Sequence, residues 1–272
     1  MRPYFSYIHP LFVAMMAVST FSGCTGFRGP SEPQWGVSMT AQPPQIDGHL
    51  EDLWLQTEKV DELLYPSDHP TKPSGQVESP LTDIWILWDA DYLYFFFRCW
   101  DENIDFNQKL VRDDNLYKFD VCEVFIDPVG DARQWFEIQV SPLGQILDLS
   151  YTLLSAPEYE KGQRLTQQIV ENDLQGDRGW TAEGIQVATG RLLQTGMPVA
   201  WTVEMAIPAE TLLKAQGMLA FDEMSFRVNL VRYDWVQDAL GNRVRNQFNW
   251  VPVLSGCPHI SPARMGVVTL QK

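Results

Sequence analysis

Basic side chains are scarce in this chain. Lys and Arg number 20 against 35 Asp and Glu in 272 residues, a formal net charge of −15. That balance excludes nucleic acid as an expected partner, because a phosphate backbone needs clustered cations. Cysteine is sparse too, at four, which excludes a disulfide scaffold. No apolar run reaches the ~20 residues that a membrane-spanning helix requires. The phosphate loop G-x-x-x-x-G-K, the dinucleotide signature G-x-G-x-x-G and the nucleophile elbow G-x-S-x-G are all missing. None of His49, His69 and His259 has a second His or a Cys at zinc-like spacing.

Apolar and aromatic residues are plentiful instead, at 45% and 12%. They exclude a disordered chain and suffice for a packed core. The N-terminus reads as an address. Arg2 is the only charge in residues 1–23, the run 11–21 has the length of a secretory apolar segment, and Phe21-Ser22-Gly23 lead into Cys24. Small residues before a cysteine here resemble the bacterial lipoprotein box, with Phe21 where Leu is usual. The expectation is a signal peptide over 1–23, lipidation at Cys24, and a Gly/Pro-rich tether over 24–36. The membrane is then a partner through the lipid only, and the chain belongs to the cell envelope, anchored at the outer membrane or facing the periplasm.

Residues 37–272 read as antiparallel β-structure. Period-2 runs bounded by turn residues recur at 82–88, 92–99, 119–127, 134–140, 145–154, 180–188, 200–207, 225–233 and 264–270. Ile84, Ile86 and Trp88 share one face, as do Phe136, Ile138 and Val140. Pro208 and Gly217 bracket one short helix over 208–216. The expectation is an all-β, immunoglobulin- or jelly-roll-like antiparallel sandwich forming one domain. Two Trp-Thr-x-Glu copies, at Trp180 and Trp201, are expected to pair in one hairpin. Cys99 and Cys122 lie on strands that are candidate neighbours. They are either small buried apolar residues or a bonded pair, and a bond needs Cα atoms within roughly 7 Å.

Six segments in order resemble carbohydrate-binding module family 9 and its relatives. They are 46–54 (IDGHLEDLW), 87–94 (LWDADYLY), 120–128 (DVCEVFIDP), 201–208 (WTVEMAIP), 226–229 (FRVN) and 262–266 (PARMG). Cys122 stands where the family commonly has Val. The resemblance implies a non-catalytic sugar-binding sandwich of the kind found in bacteria that use polysaccharides, with structural calcium known among its members. In sugar-binding members two aromatic rings clasp a terminal sugar. Tyr117 falls where one stacking Trp is placed, and His259 near the second. Glu123 matches an acceptor of sugar hydroxyls and Asn229 an amide in the same site. Asp101, Glu102 and Asp105, or Asp127 and Asp131, are oxygen-rich loop clusters that calcium would use. The alternative for them is solvated turns.

The side-chain chemistry suits the same ligand. A pyranose has apolar C–H faces and a hydroxyl rim, so its binder wants flat rings plus carboxylate and amide groups. Glu123 in an apolar strand is either a ligand group or half of an ion pair with Arg98 or Arg232. Asn229 and Tyr117 are each a ligand contact or a packing residue. Arg98, Arg232 and His259 complete the candidate set, and no catalytic residue is assigned. A hydrolase is the main alternative, but no single strand supplies its two carboxylates. Asp120 and Glu123 point to opposite faces, while Glu123 and Asp127 lie about 13 Å apart, beyond the roughly 5–9.5 Å required. Two further alternatives are a haem-binding electron-transfer module and a purely structural surface lipoprotein.

Overall fold

The computed structural model describes residues 33–64, 81–155, 164–214, 217, 224–253 and 257–272. The leader 1–23, Cys24, the first part of the tether and His69 lie outside the described residues. The described strands are β1 (Gln34–Ser38), β2 (Thr82–Trp88), β3 (Tyr92–Trp100), β4 (Val121–Asp127), β5 (Gln134–Val140) and β6 (Ile146–Leu153). They continue with β7 (Leu174–Asp177), β8 (Gln186–Gln194), β9 (Met197–Pro208), β10 (Ser225–Gln237), β11 (Arg243–Asn249) and β12 (Gly266–Gln271). Three short helices accompany them: α1 (Asp52–Leu55), α2 (Gln167–Asn172) and α3 (Ala209–Lys214).

The strands form two sheets. The larger runs β1-β12-β10-β4-β5-β6-β7, and the smaller runs β2-β3-β9-β8. Long β10 pairs β12 through its first residues and β11 through its last, while β4 pairs its middle. Alternation sends one side chain in two between the sheets. Ile84, Ile86 and Trp88 of β2 thus meet Cys122, Val124 and Ile126 of β4, and Phe136, Ile138 and Val140 of β5, in one buried cluster. The expected all-β sandwich is the observed fold.

Both outer faces are covered as well, which alternation along a strand does not reveal. On the smaller sheet the cover is the segment around 46–54. Glu204 of β9 is fully enclosed there and accepts hydrogen bonds from the Asp47 and Gly48 amides (3.0 and 2.9 Å) and from Trp54 Nε1 (3.1 Å). The Thr202 hydroxyl donates to the Gly48 carbonyl (2.6 Å). Gly48 has φ +79°, and a Cβ there would lie 2.6 Å from the Thr189 carbonyl carbon, so this position requires glycine. The Ile-Asp-Gly and Trp-Thr-x-Glu segments are therefore two halves of one latch. On the larger sheet, Val121, Phe125, Trp135 and Val231 pack under residues from 110–117, α2 and 260–265.

Several elements differ from the expectation. β1 begins inside the segment read as tether: it pairs parallel with β12 and buries Trp35 and Val37. The strand expected at 180–188 lies instead at Gln186–Gln194, and Trp201 pairs with Arg191. Trp180 stacks on Phe136 (4.6 Å between centroids, 27°), and a turn at Gly184 (φ +77°) follows it. β8 is an edge strand with mostly exposed side chains, so no apolar alternation marked it. β7 and β11 carry polar sequences and escaped notice for the same reason. The helix at 208–216 is present as α3, and α1 and α2 are additional. Cys99 and Cys122 come from opposite sheets, with their Sγ atoms 3.4 Å apart.

Candidate functional site

The outer face of the larger sheet holds a cleft of about 340 Å³. Its floor is built by alternate residues of adjacent strands: Glu137 and Gln139 of β5, Leu147, Leu149 and Tyr151 of β6, Tyr233 of β10 and Arg245 of β11. Its walls include Tyr117, Arg178, Cys257 and His259. Tyr117 sits on a 3₁₀ turn, Leu116–Lys118, anchored by buried Leu116. His259 sits on another, Pro258–Ile260, opened by proline.

Two indoles suspend these walls. Trp235 Nε1 donates to the Tyr117 carbonyl (3.2 Å), and Trp135 Nε1 donates to the His259 carbonyl (3.1 Å). Tyr151 stacks with the Trp135 ring (5.5 Å, 16°) and with the His259 ring (6.1 Å, 27°). Its hydroxyl donates to Glu137 Oε2 (2.8 Å), and the Gln139 amide donates to Glu137 Oε1. The Arg245 guanidinium lies over the Tyr233 ring, 4.6 Å from its centroid. Arg178 donates to the Asp113 carbonyl and to Asn115 Oδ1 at the lip.

Glu123 lies beneath this cleft, opposite Gln139 on β5 and Val231 on β10. It is 1% exposed. Among the described residues neither of its carboxylate oxygens has a hydrogen-bond partner, and neither does Gln139 Oε1. An isolated buried carboxylate is too costly to stay ionised. Burial pushes the Glu123 carboxyl far up, the neighbouring Glu137 pushes the same way, and the Arg245 charge draws it partly back. Burial thus favours the neutral carboxylic acid, a form that can donate one hydrogen bond and accept others.

The structure thus brings Tyr117, Glu123 and His259 to one place and sends the other three candidates elsewhere. Asn229 is consumed by the backbone: its amide donates to the Val251 (2.9 Å) and Arg264 (3.1 Å) carbonyls and accepts from the Val251 N–H (3.0 Å). It is a latch for the segment leading to His259. Arg98 lies on the other side of the sandwich, on the outer face of β3, paired with Asp83 (2.6 Å) and flanked by the Trp85 and Trp100 rings. Arg232 points between the sheets, 0% exposed, bonded to Asp234 (2.9 Å), Asp101 (3.3 Å), Thr82 and the Trp100 carbonyl. Neither arginine is the ion-pair partner weighed for Glu123. Alternation places Arg232 and Glu123 on opposite faces of their shared sheet.

Tyr151, Tyr233, Arg245 and Glu137 were not anticipated. Polar Glu137 and Gln139 alternating with Phe136 and Ile138 is the one trace they leave in the sequence, and by itself that reads as a solvated strand face.

Several of the loop carboxylates considered for calcium have protein partners. Asp127 accepts from the Val129, Gly130 and Ala132 amides (3.2, 2.7 and 2.7 Å), Asp131 from Arg133 N–H (2.9 Å), and Asp105 pairs with Arg243 (2.6 Å). Asp101, Asp120 and Asp234 do gather within 4.8 Å of one another. The Arg232 guanidinium supplies a positive charge to Asp101 and Asp234, while Asp120 caps the Asp105 and Trp235 amides (2.6 and 2.7 Å).

Asp120 carries a testable pH signature. Burial raises its pKa from 3.8 to about 8; two backbone N–H bonds oppose the rise, while Asp101 and Asp234 add to it. Between those values the folded chain holds a proton that the unfolded chain has released, so stability falls as pH rises through that window. Buried Glu123, Asp127, Asp148, Asp234 and Glu204 are raised too and act with the same sign. The melting temperature is expected to be lower at about pH 8.5 than at about pH 5, with a shallower slope in Asp120→Asn. A wild-type profile that rises over this range contradicts the assignment.

A two-sheet sandwich with a ring-lined cleft over a buried carboxyl is the build of a ligand-binding β-module. The family model described as "Carbohydrate family 9 binding domain-like" matches residues 46–272, and the chain belongs to that family. Solved structures share the fold. A carbohydrate binding module family 9 from Caldicellulosiruptor kristjanssonii in complex with glucose aligns at 16% identity over 88% of this chain and 95% of that one, with a TM-score of 0.56. A protein from Bacteroides uniformis ATCC 8492 aligns at 14% identity over 89% and 100%, with a TM-score of 0.52. The Caldicellulosiruptor module in complex with cellotriose aligns at 18% identity over 88% and 93%, with a TM-score of 0.50. No curated protein matches the chain.

Proposed function

We propose that this protein binds carbohydrate, without transforming it, in the cleft walled by Tyr117 and His259. The observation that carries this reading is the cleft itself, lined by three tyrosine rings and one histidine ring together with Glu137, Gln139 and Arg245. The rings suit the C–H faces of a pyranose, and Glu137, Gln139 and Arg245 suit its hydroxyls. Family membership and the glucose and cellotriose complexes of the structural relatives support the same reading. A shallow site of this kind is expected to bind with Kd between μM and mM, about −8 to −4 kcal/mol. Titration calorimetry of the full chain against glucose, cello-oligosaccharides and a wider plant, algal and host glycan panel tests it. Absence of heat with every member defeats the proposal.

The lipid anchor at Cys24 and the envelope location are part of the same proposal. They rest on the leader sequence, and radiolabelled palmitate incorporation that is lost in Cys24→Ser is the expected result.

One observation favours a hydrolase as the second reading. Glu137 of β5 lies diagonally across from Glu123 on the same sheet face, because Glu123 is paired with Gln139 and Phe125 with Glu137. Diagonal neighbours stand about 7–8 Å apart, within hydrolase range, and burial raises the Glu123 carboxyl, as an acid catalyst would need. Against this, Glu137 is tied to Tyr151 and Gln139, and Glu123 is sealed below the floor. Reducing-sugar release from the same glycan panel separates the readings, and none is expected.

A further inference from the structure

The connection from β3 to β4 carries Tyr117, and each of its two ends is flanked by a buried cysteine. Cys99 is the penultimate residue of β3 and Cys122 the second of β4, in opposite sheets. Both are 0% exposed, and their sulfurs are 3.4 Å apart in the core, with Cys122 opposite Val140 and Cys99 opposite Trp201 in their ladders. Two thiols held this close by separate backbones need only small side-chain rotations to reach bonding distance. We propose that Cys99 and Cys122 are an oxidative cross-linking site, closed by a disulfide that staples the two sheets together.

The chemistry balances with a disulfide oxidant such as oxidised glutathione. Two S–H bonds break and one S–S bond forms. Two electrons and two protons pass to the glutathione disulfide, which leaves as two thiols. The attacking species is a thiolate. Burial pushes the Cys122 thiol well up, while the nearby Arg232 charge acts in the opposite direction. Exchange is therefore slow once the core is closed, and the bond forms as the chain folds. It closes a ring of 24 residues, 99–122, that contains Tyr117, Asp105 and Asp120. The staple thereby restrains the loop that supplies one cleft wall, and its formation is read independently of any sugar.

The test is to refold the full chain in a mixed reduced and oxidised glutathione buffer, trap remaining thiols with iodoacetamide after denaturation, and map tryptic peptides without reduction. The expected product joins peptide 99–109 to peptide 119–133 and vanishes on reduction. Its melting temperature is expected to exceed that of the reduced form by roughly 5–10 °C. Cys122→Val, which is close in volume, is expected to fold without the cross-link. Cys99→Ala serves as a second control should that variant fold poorly. Recovery of Cys99 and Cys122 as separate alkylated peptides from the oxidised, refolded chain overturns the proposal. So does a cross-link that joins either of them to Cys24 or Cys257 instead.

Discussion

Glu204→Ala is expected to destabilise the protein by about 3–5 kcal/mol, among the larger effects of any single substitution. The carboxylate is fully enclosed and receives three hydrogen bonds, from the Asp47 amide, the Gly48 amide and the Trp54 indole. Alanine leaves all three donors without a partner under a cover too tight for solvent. An unmet buried donor costs about 1–3 kcal/mol, and the packing of Trp54 on Phe96 and Trp85 would have to hold the segment around 46–54 by itself. For a domain of this size the melting temperature is expected to fall by roughly 10 °C. Glu204→Gln keeps the shape and part of the acceptor capacity, and is expected to lose about half as much. Urea denaturation of the two variants checks this. A Glu204→Ala midpoint equal to that of the wild type removes the latch from the account of the fold.

Sugar affinity is expected to fall about tenfold or more in Glu123→Ala and about fivefold or more in Tyr117→Ala, as read by calorimetry. The two losses have different origins. Glu123 lies buried under the floor, opposite Gln139, so its removal is expected to act by letting the floor residues above it shift. Tyr117 offers flat apolar area, so its removal forfeits stacking. Stability is expected to separate them further. The Glu123 carboxyl is buried without a hydrogen-bond partner among the described residues and its pKa is raised, so it weakens the fold as pH rises. Glu123→Gln is therefore expected to melt no lower than wild type at alkaline pH, even while it binds sugar more weakly. Wild-type affinity in both Glu123→Ala and Tyr117→Ala removes the cleft assignment.

The sandwich was legible because core-facing residues repeat every second position in β2, β3, β5 and β9, and turn residues punctuate them. Elements without that signature were lost: polar β11, exposed β8, and β1 hidden in a Gly- and Pro-rich stretch. The site was half legible. Tyr117, Glu123 and His259 came from motif positions; the fold sets Tyr117 and His259 on the walls of one candidate cleft and buries Glu123 under its floor. Asn229 lies on the correct face of β10, but nothing in the sequence shows that a backbone segment from 251–264 consumes its amide. Arg232 differs from Glu123 in facing, and that depends on which residues the ladder sets opposite each other. Spacing along one strand does not contain that information. The same holds for Glu137 and Arg245, each of which joins the cleft from a strand other than β4.

Because Tyr117 and His259 hang by their carbonyls from tryptophans seated in the sheet, the two walls have little freedom to swing apart. A visitor to this cleft meets a fixed aperture rather than a gate. Ligand capture should therefore proceed in a single kinetic phase, with an observed rate that climbs linearly with concentration and shows no plateau from a slow opening step.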